Sequence, residues 1–134
     1  PDPSGRWLTA AIDQSLRDGV VAAADIGFVS AHGTGTRDND SSEAQALATR
    51  FGRVPVSSNK RALGHTMGAS ALFGLAGAVV ALRHQTLLPI AQWIGTPFDH
   101  VEVVTSARQS RFDAVLTTCL AFGGVNTAFV VSRF

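Results

Sequence analysis

The chain has 134 residues, 46% of them hydrophobic, and a formal net charge of +1 at pH 7, which suits one modest core and excludes a highly charged disordered tail. Ten arginines and a single lysine, Lys60, are spread along the sequence rather than clustered, so the pI of about 8.6 marks no nucleic-acid footprint and no nucleic acid is expected as a partner. The lone cysteine, Cys119, excludes an intrachain disulfide; this fits a reducing compartment, and the cytoplasm is the expected location.

The opening Pro1-Asp2-Pro3-Ser4-Gly5 has no basic region leading into an apolar stretch. It is not expected to be a secretory signal and reads as a cut point inside a longer polypeptide. From Trp7 to Asp18, Leu8, Ile12 and Leu16 recur at a spacing of four and Gly19 is placed to stop the run, which predicts an amphipathic helix. A short strand is predicted over Ile26 to Ala31. Its end delivers His32 into the loop His32-Gly33-Thr34-Gly35-Thr36, at the place where open α/β sheets keep their chemistry. Asp40-Ser41-Ser42-Glu43 offers an N-cap with a carboxylate three residues on, so a helix is predicted from there to Arg50. Val54 to Ser57 predicts a second strand, which empties into Ser58-Asn59-Lys60-Arg61-Ala62-Leu63-Gly64-His65.

After Gly64 a helix is predicted to about Arg83. Its stretch from Met67 to Leu82 is apolar apart from Ser70 and rich in alanine and glycine. This is shorter than the roughly 20 residues of a membrane span, so no membrane association is expected. The prediction is a core helix buried on all sides, with small residues admitting a neighbouring helix. Strands are predicted over Leu87 to Ile90, Val101 to Val104, Ala114 to Cys119 and Thr127 to Ser132, with connecting turns at Gly95-Thr96-Pro97 and at Ala107 to Ser110. The order of elements indicates one domain over residues 1–134, an α/β fold whose mixed sheet has an antiparallel edge.

Two histidines and the only lysine fall at strand ends or helix starts, as does Glu43, and one mouth could hold them all. Gly33 and Gly35 beside Thr34 and Thr36 let backbone and hydroxyls approach an extended polar ligand, although a tight turn accounts for the loop equally well. His65 alone reads as readily as a helix cap. His32, His65 and Asp40 are conceivable metal ligands, but no His-x-x-x-His or Cys-x-x-Cys spacing supports them and no metal is expected. No serine lies in a Gly-x-Ser-x-Gly elbow. Cys119 stands in an apolar run with no neighbouring charge, and reads as a small buried hydrophobe. His84 and His100 read as surface residues without a role. Ala121-Phe122-Gly123-Gly124-Val125-Asn126 reads as a glycine hairpin between two strands.

These motifs, in this order, resemble the C-terminal part of an elongating β-ketoacyl-[acyl-carrier-protein] synthase. The resemblance spans nearly the whole chain and rests on His32-Gly33-Thr34-Gly35-Thr36 with Glu43, on Ser58-Asn59-Lys60 with Gly64-His65, and on Phe122-Gly123-Gly124-Val125-Asn126. It implies the C-terminal half of a thiolase-like fold, incomplete at its N-terminal side, in which two similar α/β halves stack in five layers around the active site. It further implies that His32 and His65 are the catalytic histidines, Lys60 the active-site lysine and Glu43 the acidic residue near it. By the same resemblance Thr34 and Thr36 bind a phosphopantetheine arm, and Phe122, leading into Gly123, is the gating phenylalanine at the oxyanion hole.

The implied reaction is decarboxylative condensation of malonyl-carrier protein with an acyl thioester, in fatty acid or polyketide synthesis. The implied partners are acyl carrier protein and an N-terminal ketosynthase half bearing the nucleophilic cysteine, in a homodimer or heterodimer. No cofactor beyond the carrier's phosphopantetheine is expected, and the chain alone is expected to be inactive. A non-condensing partner of the chain-length-factor type and a module that only binds the pantetheine arm are the alternatives. Ala121 stands where the family usually has glycine and Val125 where threonine is common. The alanine puts the freedom of the gating loop in question, because it disfavours positive φ.

Overall fold

The computed structural model describes residues 2–95 and 98–133. Its first helix, α1 (Arg6–Asp18), buries Leu8, Ile12 and Leu16 as their spacing requires, and ends at Gly19. Strand β1 (Ile26–Ser30) follows, then α2 (Arg37–Phe51), β2 (Pro55–Ser57) and a single helical turn, α3 (Lys60–Leu63). The long helix α4 (Ser70–His84) leads to β3 (Thr86–Leu87), β4 (Glu102–Val103), β5 (Arg108–Gln109), β6 (Ala114–Ala121) and β7 (Val125–Ser132).

Five strands form one sheet in the order β4-β2-β1-β6-β7. The first three pairings are parallel and the last, β6 with β7, is antiparallel, as expected for a mixed sheet with an antiparallel edge. Helices cover both faces. Leu8, Ile12 and Leu16 of α1 and Leu47 of α2 pack with Val29 and Leu116, while Ala78, Ala81 and Leu82 of α4 pack with Phe28 and Val115 on the other side. Phe28/Val29 and Val115/Leu116 therefore alternate between two cores. Strands buried on both faces read as continuous apolar runs, the pattern that made β1 and β6 recognisable.

The structure corrects several expectations. Helix α2 begins at Arg37, with Thr36 as its N-cap, not at Asp40. Asp38 and Asp40 lie in its first turn, where carboxylates complement the helix dipole. The Glu43 side chain does not close a capping box; it turns inward. The predicted strand from Leu87 to Ile90 shrinks to Thr86–Leu87, because Pro89 removes a ladder donor. Part of the predicted turn at Ala107 to Ser110 is strand β5, antiparallel to β3 and too exposed and polar to announce itself. The hairpin is tighter than expected, since β7 starts at Val125 and leaves Phe122-Gly123-Gly124 as the loop. Of the predicted Gly95-Thr96-Pro97 turn, Thr96 and Pro97 lie outside the described residues.

Helix α4 is not buried on all sides. Ser70, Gly74, Ala78, Ala81 and Leu82 face inward, but Leu72, Phe73, Val79 and Val80 are exposed on the opposite stripe. Their spacing by seven places them on one face. By length and composition alone Met67–His84 could cross a membrane, with a mean hydropathy of 1.3. Its inner stripe nevertheless closes on β6 so tightly that a Cβ on Gly74 would sit 2.7 Å from Thr117 Oγ1. Thr117 is buried and β-branched, so it has little room to give. Gly74→Val should therefore cost about 1–3 kcal/mol of stability through overpacking, read as a lowered urea midpoint with an unchanged m-value.

Candidate active site

His32 leaves the end of β1 and is held by its backbone. Glu43, buried in the second turn of α2, accepts hydrogen bonds from the His32 N–H at 2.9 Å through Oε1 and from the Gly33 N–H at 2.9 Å through Oε2. Thr118 on β6 donates its hydroxyl to the same Oε1, and its oxygen accepts a second bond from the His32 N–H at 3.1 Å. A buried donor left without an acceptor is costly, so this carboxylate fixes the path of the loop. Gly33 (φ +45°) is the position where a side chain is excluded, since a Cβ there would meet the Ser58 Cβ at 2.6 Å. Glycine therefore lets the histidine loop lie against the loop that carries Lys60.

Lys60, at the start of α3, reaches back to the same histidine. Its ammonium donates to the His32 carbonyl oxygen and lies 3.3 Å from His32 Nδ1. An ammonium has only donors, so Nδ1 accepts and the ring proton belongs on Nε2. His65 arrives at the same tautomer by a different route. The Met67 N–H donates to its Nδ1 at 3.0 Å, from a residue held in the left-handed region (φ 51°). The two rings meet edge to face with centroids 5.5 Å apart. Both therefore present Nε2–H donors.

Electrostatics favour the uncharged ring at residue 32. Burial, the Lys60 cation and then His65 together lower the His32 pKa from 6.5 to about 4. Burial also lowers the Lys60 pKa, against the pull of Glu43 and Cys119. Glu43 is pushed upward by burial, and the hydrogen bonds from Thr118, Gly33 and His32 act against that push. The two Glu43 oxygens are taken by those three donors, and Lys60 bonds His32 rather than Glu43.

A cleft of about 760 Å³ lies over this group, and His32, His65, Thr34, Thr36, Phe122 and Gly123 all line it. The Thr34 and Thr36 hydroxyls are 2.8 Å apart. Phe122 projects from the β6–β7 hairpin, 95% exposed. Gly123 and Gly124 take the positive φ values of the turn, and Ala121 is not among the residues with positive φ, so alanine strains nothing there. Cys119 is half-buried and borders the same cleft, which corrects its reading as a buried hydrophobe. His84 and His100 are exposed. Thr118 and the Met67 N–H were missed from sequence: the first is one threonine among several, and the second is a backbone group that no residue type reveals. Among the described residues no group of three metal-ligating side chains comes together.

The three-layer arrangement with its mixed five-stranded sheet is the C-terminal half of a thiolase-like ketosynthase fold. It superposes on a ketosynthase, ApeO from Xenorhabdus doucetiae, solved in complex with its chain length factor ApeC. That match has a TM-score of 0.88 and 31% identity, covering 98% of this chain and 34% of that one. The family model described as "Beta-ketoacyl synthase, C-terminal domain" matches residues 1–93, and the chain belongs to that family. It is 37% identical to the tetracenomycin polyketide synthase ketoacyl synthase alpha subunit of Streptomyces glaucescens, over 98% of this chain and 32% of that protein. It is 33% identical to 3-oxoacyl-[acyl-carrier-protein] synthase 2 of Coxiella burnetii, over 99% of this chain and 34% of that protein. The chain thus spans about a third of the length of the curated relatives it matches.

Two outcomes follow from the site. The lowered His32 pKa makes its neutral ring a source of stability that is complete above pH 6.5 and lost as pH falls toward 4. An NMR titration should place its midpoint near 4, and Lys60→Met should move that midpoint part of the way back toward 6.5, burial keeping the rest. Glu43→Ala removes the acceptor of the Gly33 N–H and of the Thr118 hydroxyl and leaves the His32 N–H only Thr118 Oγ1; it should destabilise the fold by about 1–3 kcal/mol in denaturant unfolding.

Proposed function

We propose that this chain supplies the histidine and lysine half of a β-ketoacyl-[acyl-carrier-protein] synthase active site, acting in fatty acid or polyketide synthesis. The observation that carries the reading is the pair of imidazoles 5.5 Å apart on one cleft, each with Nδ1 occupied by a donor. Loss of CO2 from a malonyl thioester moves an electron pair onto the thioester oxygen. Two neutral Nε2–H groups aimed at that oxygen stabilise the enolate as its charge grows. Lys60 keeps His32 from taking a proton that would end its role as a neutral donor. The carbanion then attacks the carbonyl carbon of an acyl thioester, and the thiolate that held the acyl group leaves. The equation balances without a separate cofactor.

In this reading the nucleophilic cysteine belongs to an N-terminal half outside this sequence. Thr34 and Thr36 grip the phosphopantetheine arm of acyl carrier protein, and Phe122 with the Gly123 backbone forms the gate. The partners are that carrier, the other ketosynthase half and a second ketosynthase-like subunit, in the cytoplasm. The chain alone is inactive, and the open stripe of α4 needs a protein partner. A chain-length-determining partner without condensing activity is the second reading, because a ketosynthase bound to its chain length factor shares this fold. Retention of His32, Lys60 and His65 together favours the condensing enzyme.

In the complete enzyme, His32→Ala or His65→Ala should lower malonyl decarboxylation on the order of 10²- to 10³-fold each. Release of CO2 from a malonyl thioester, followed with the purified variants, checks this; decarboxylation at the wild-type rate in either variant overturns the assignment.

A further inference from the structure

His65 Nδ1 has a second neighbour besides the Met67 N–H. The Ser70 hydroxyl lies 3.2 Å from it, and Thr66 Oγ1 lies 3.2 Å from Ser70 Oγ. Every proton in this chain of groups can be placed. A backbone N–H only donates, so Nδ1 offers a lone pair and carries no hydrogen. The Ser70 hydroxyl, facing that lone pair, must direct its own proton there. Thr66 in turn gives its proton to the oxygen that Ser70 leaves free. The Met67 N–H and the Ser70 hydroxyl thus share the one lone pair of Nδ1.

We infer that Ser70, backed by Thr66, is a positioning residue for His65, locking its ring and its Nε2–H tautomer from the α4 side. The surroundings explain why a second hold is needed. His65 and its neighbours from Arg61 to Leu63 and from Met67 to Ala69 are exposed, and the Met67 N–H belongs to a strained turn. Ser70 is different: it is 6% exposed and opens the helix whose inner stripe is pressed onto β6. The hydroxyl is therefore the one partner of the ring that stands on a rigid element, and rigid support is what keeps a donor at hydrogen-bond range of a reacting atom. A serine at the first position of a helix ordinarily faces water; this one is buried with its oxygen toward an imidazole.

The inference rests on His65 being a decarboxylation donor, and the test separates the two ideas. Ser70→Ala, made in the complete enzyme, removes the hydroxyl at a position where alanine suits the helix. Malonyl decarboxylation should fall about three- to tenfold, the effect of one hydrogen bond, with acyl loading of the enzyme's cysteine unchanged. In histidine-labelled protein the ¹⁵N resonance of His65 Nδ1 should move toward that of a lone pair lacking one donor. Thr66→Val should shift both quantities in the same direction by less. Unchanged decarboxylation, or a slower rate with an unmoved ¹⁵N resonance, overturns the role of Ser70. Wild-type decarboxylation by His65→Ala is a different result and removes the catalytic reading of the ring itself.

Discussion

One buried carboxylate organises this molecule. Glu43 holds the backbone of His32 and Gly33 and takes the Thr118 hydroxyl, so it ties α2, the loop after β1 and strand β6 at a single point. The histidine loop cannot be rebuilt around another path without giving up these buried and half-buried bonds. Lys60 then closes on the carbonyl and ring of the same histidine from the neighbouring loop. The order of dependence is carboxylate, backbone, imidazole, ammonium.

The two histidines reach one chemical state through unlike means. At residue 32 burial and a cation hold the ring neutral, and the site is defended electrostatically. At residue 65 the ring is exposed, and its tautomer is set by the Met67 N–H that donates to Nδ1. A pair built this way does not depend on a single environmental variable. Changes in local dielectric act chiefly on the first ring, and changes in loop geometry act chiefly on the second.

Much of this was legible in the residues. The spacing of Leu8, Ile12 and Leu16, the apolar runs of β1 and β6, and the glycine hairpin announced the layers. The His32, Lys60 and His65 motifs announced residues that the fold brings together at one cleft. What was hidden was tertiary. The inward turn of Glu43 overrode an excellent local capping signal, because leaving the Gly33 N–H and the Thr118 hydroxyl without an acceptor costs more than one helix cap. Strand β5 was hidden because an exposed Arg108-Gln109 pair has no alternation to read. The outer stripe of α4 looked like core because composition records apolarity and not which neighbour is present to cover it.

Strand β6 carries three duties along its length. Thr117 meets the glycine of α4, Thr118 meets the carboxylate under His32, and the strand then runs on to the hairpin that bears Phe122. Since successive side chains leave a strand on opposite sides, a slip by a single position would exchange the first two assignments and displace the aromatic tip at once. The ladder to β7 acts as a ruler common to helix seat, histidine loop and cleft rim. Added length at this hairpin therefore leaves all three marks in place when it falls after Phe122, at Gly123-Gly124.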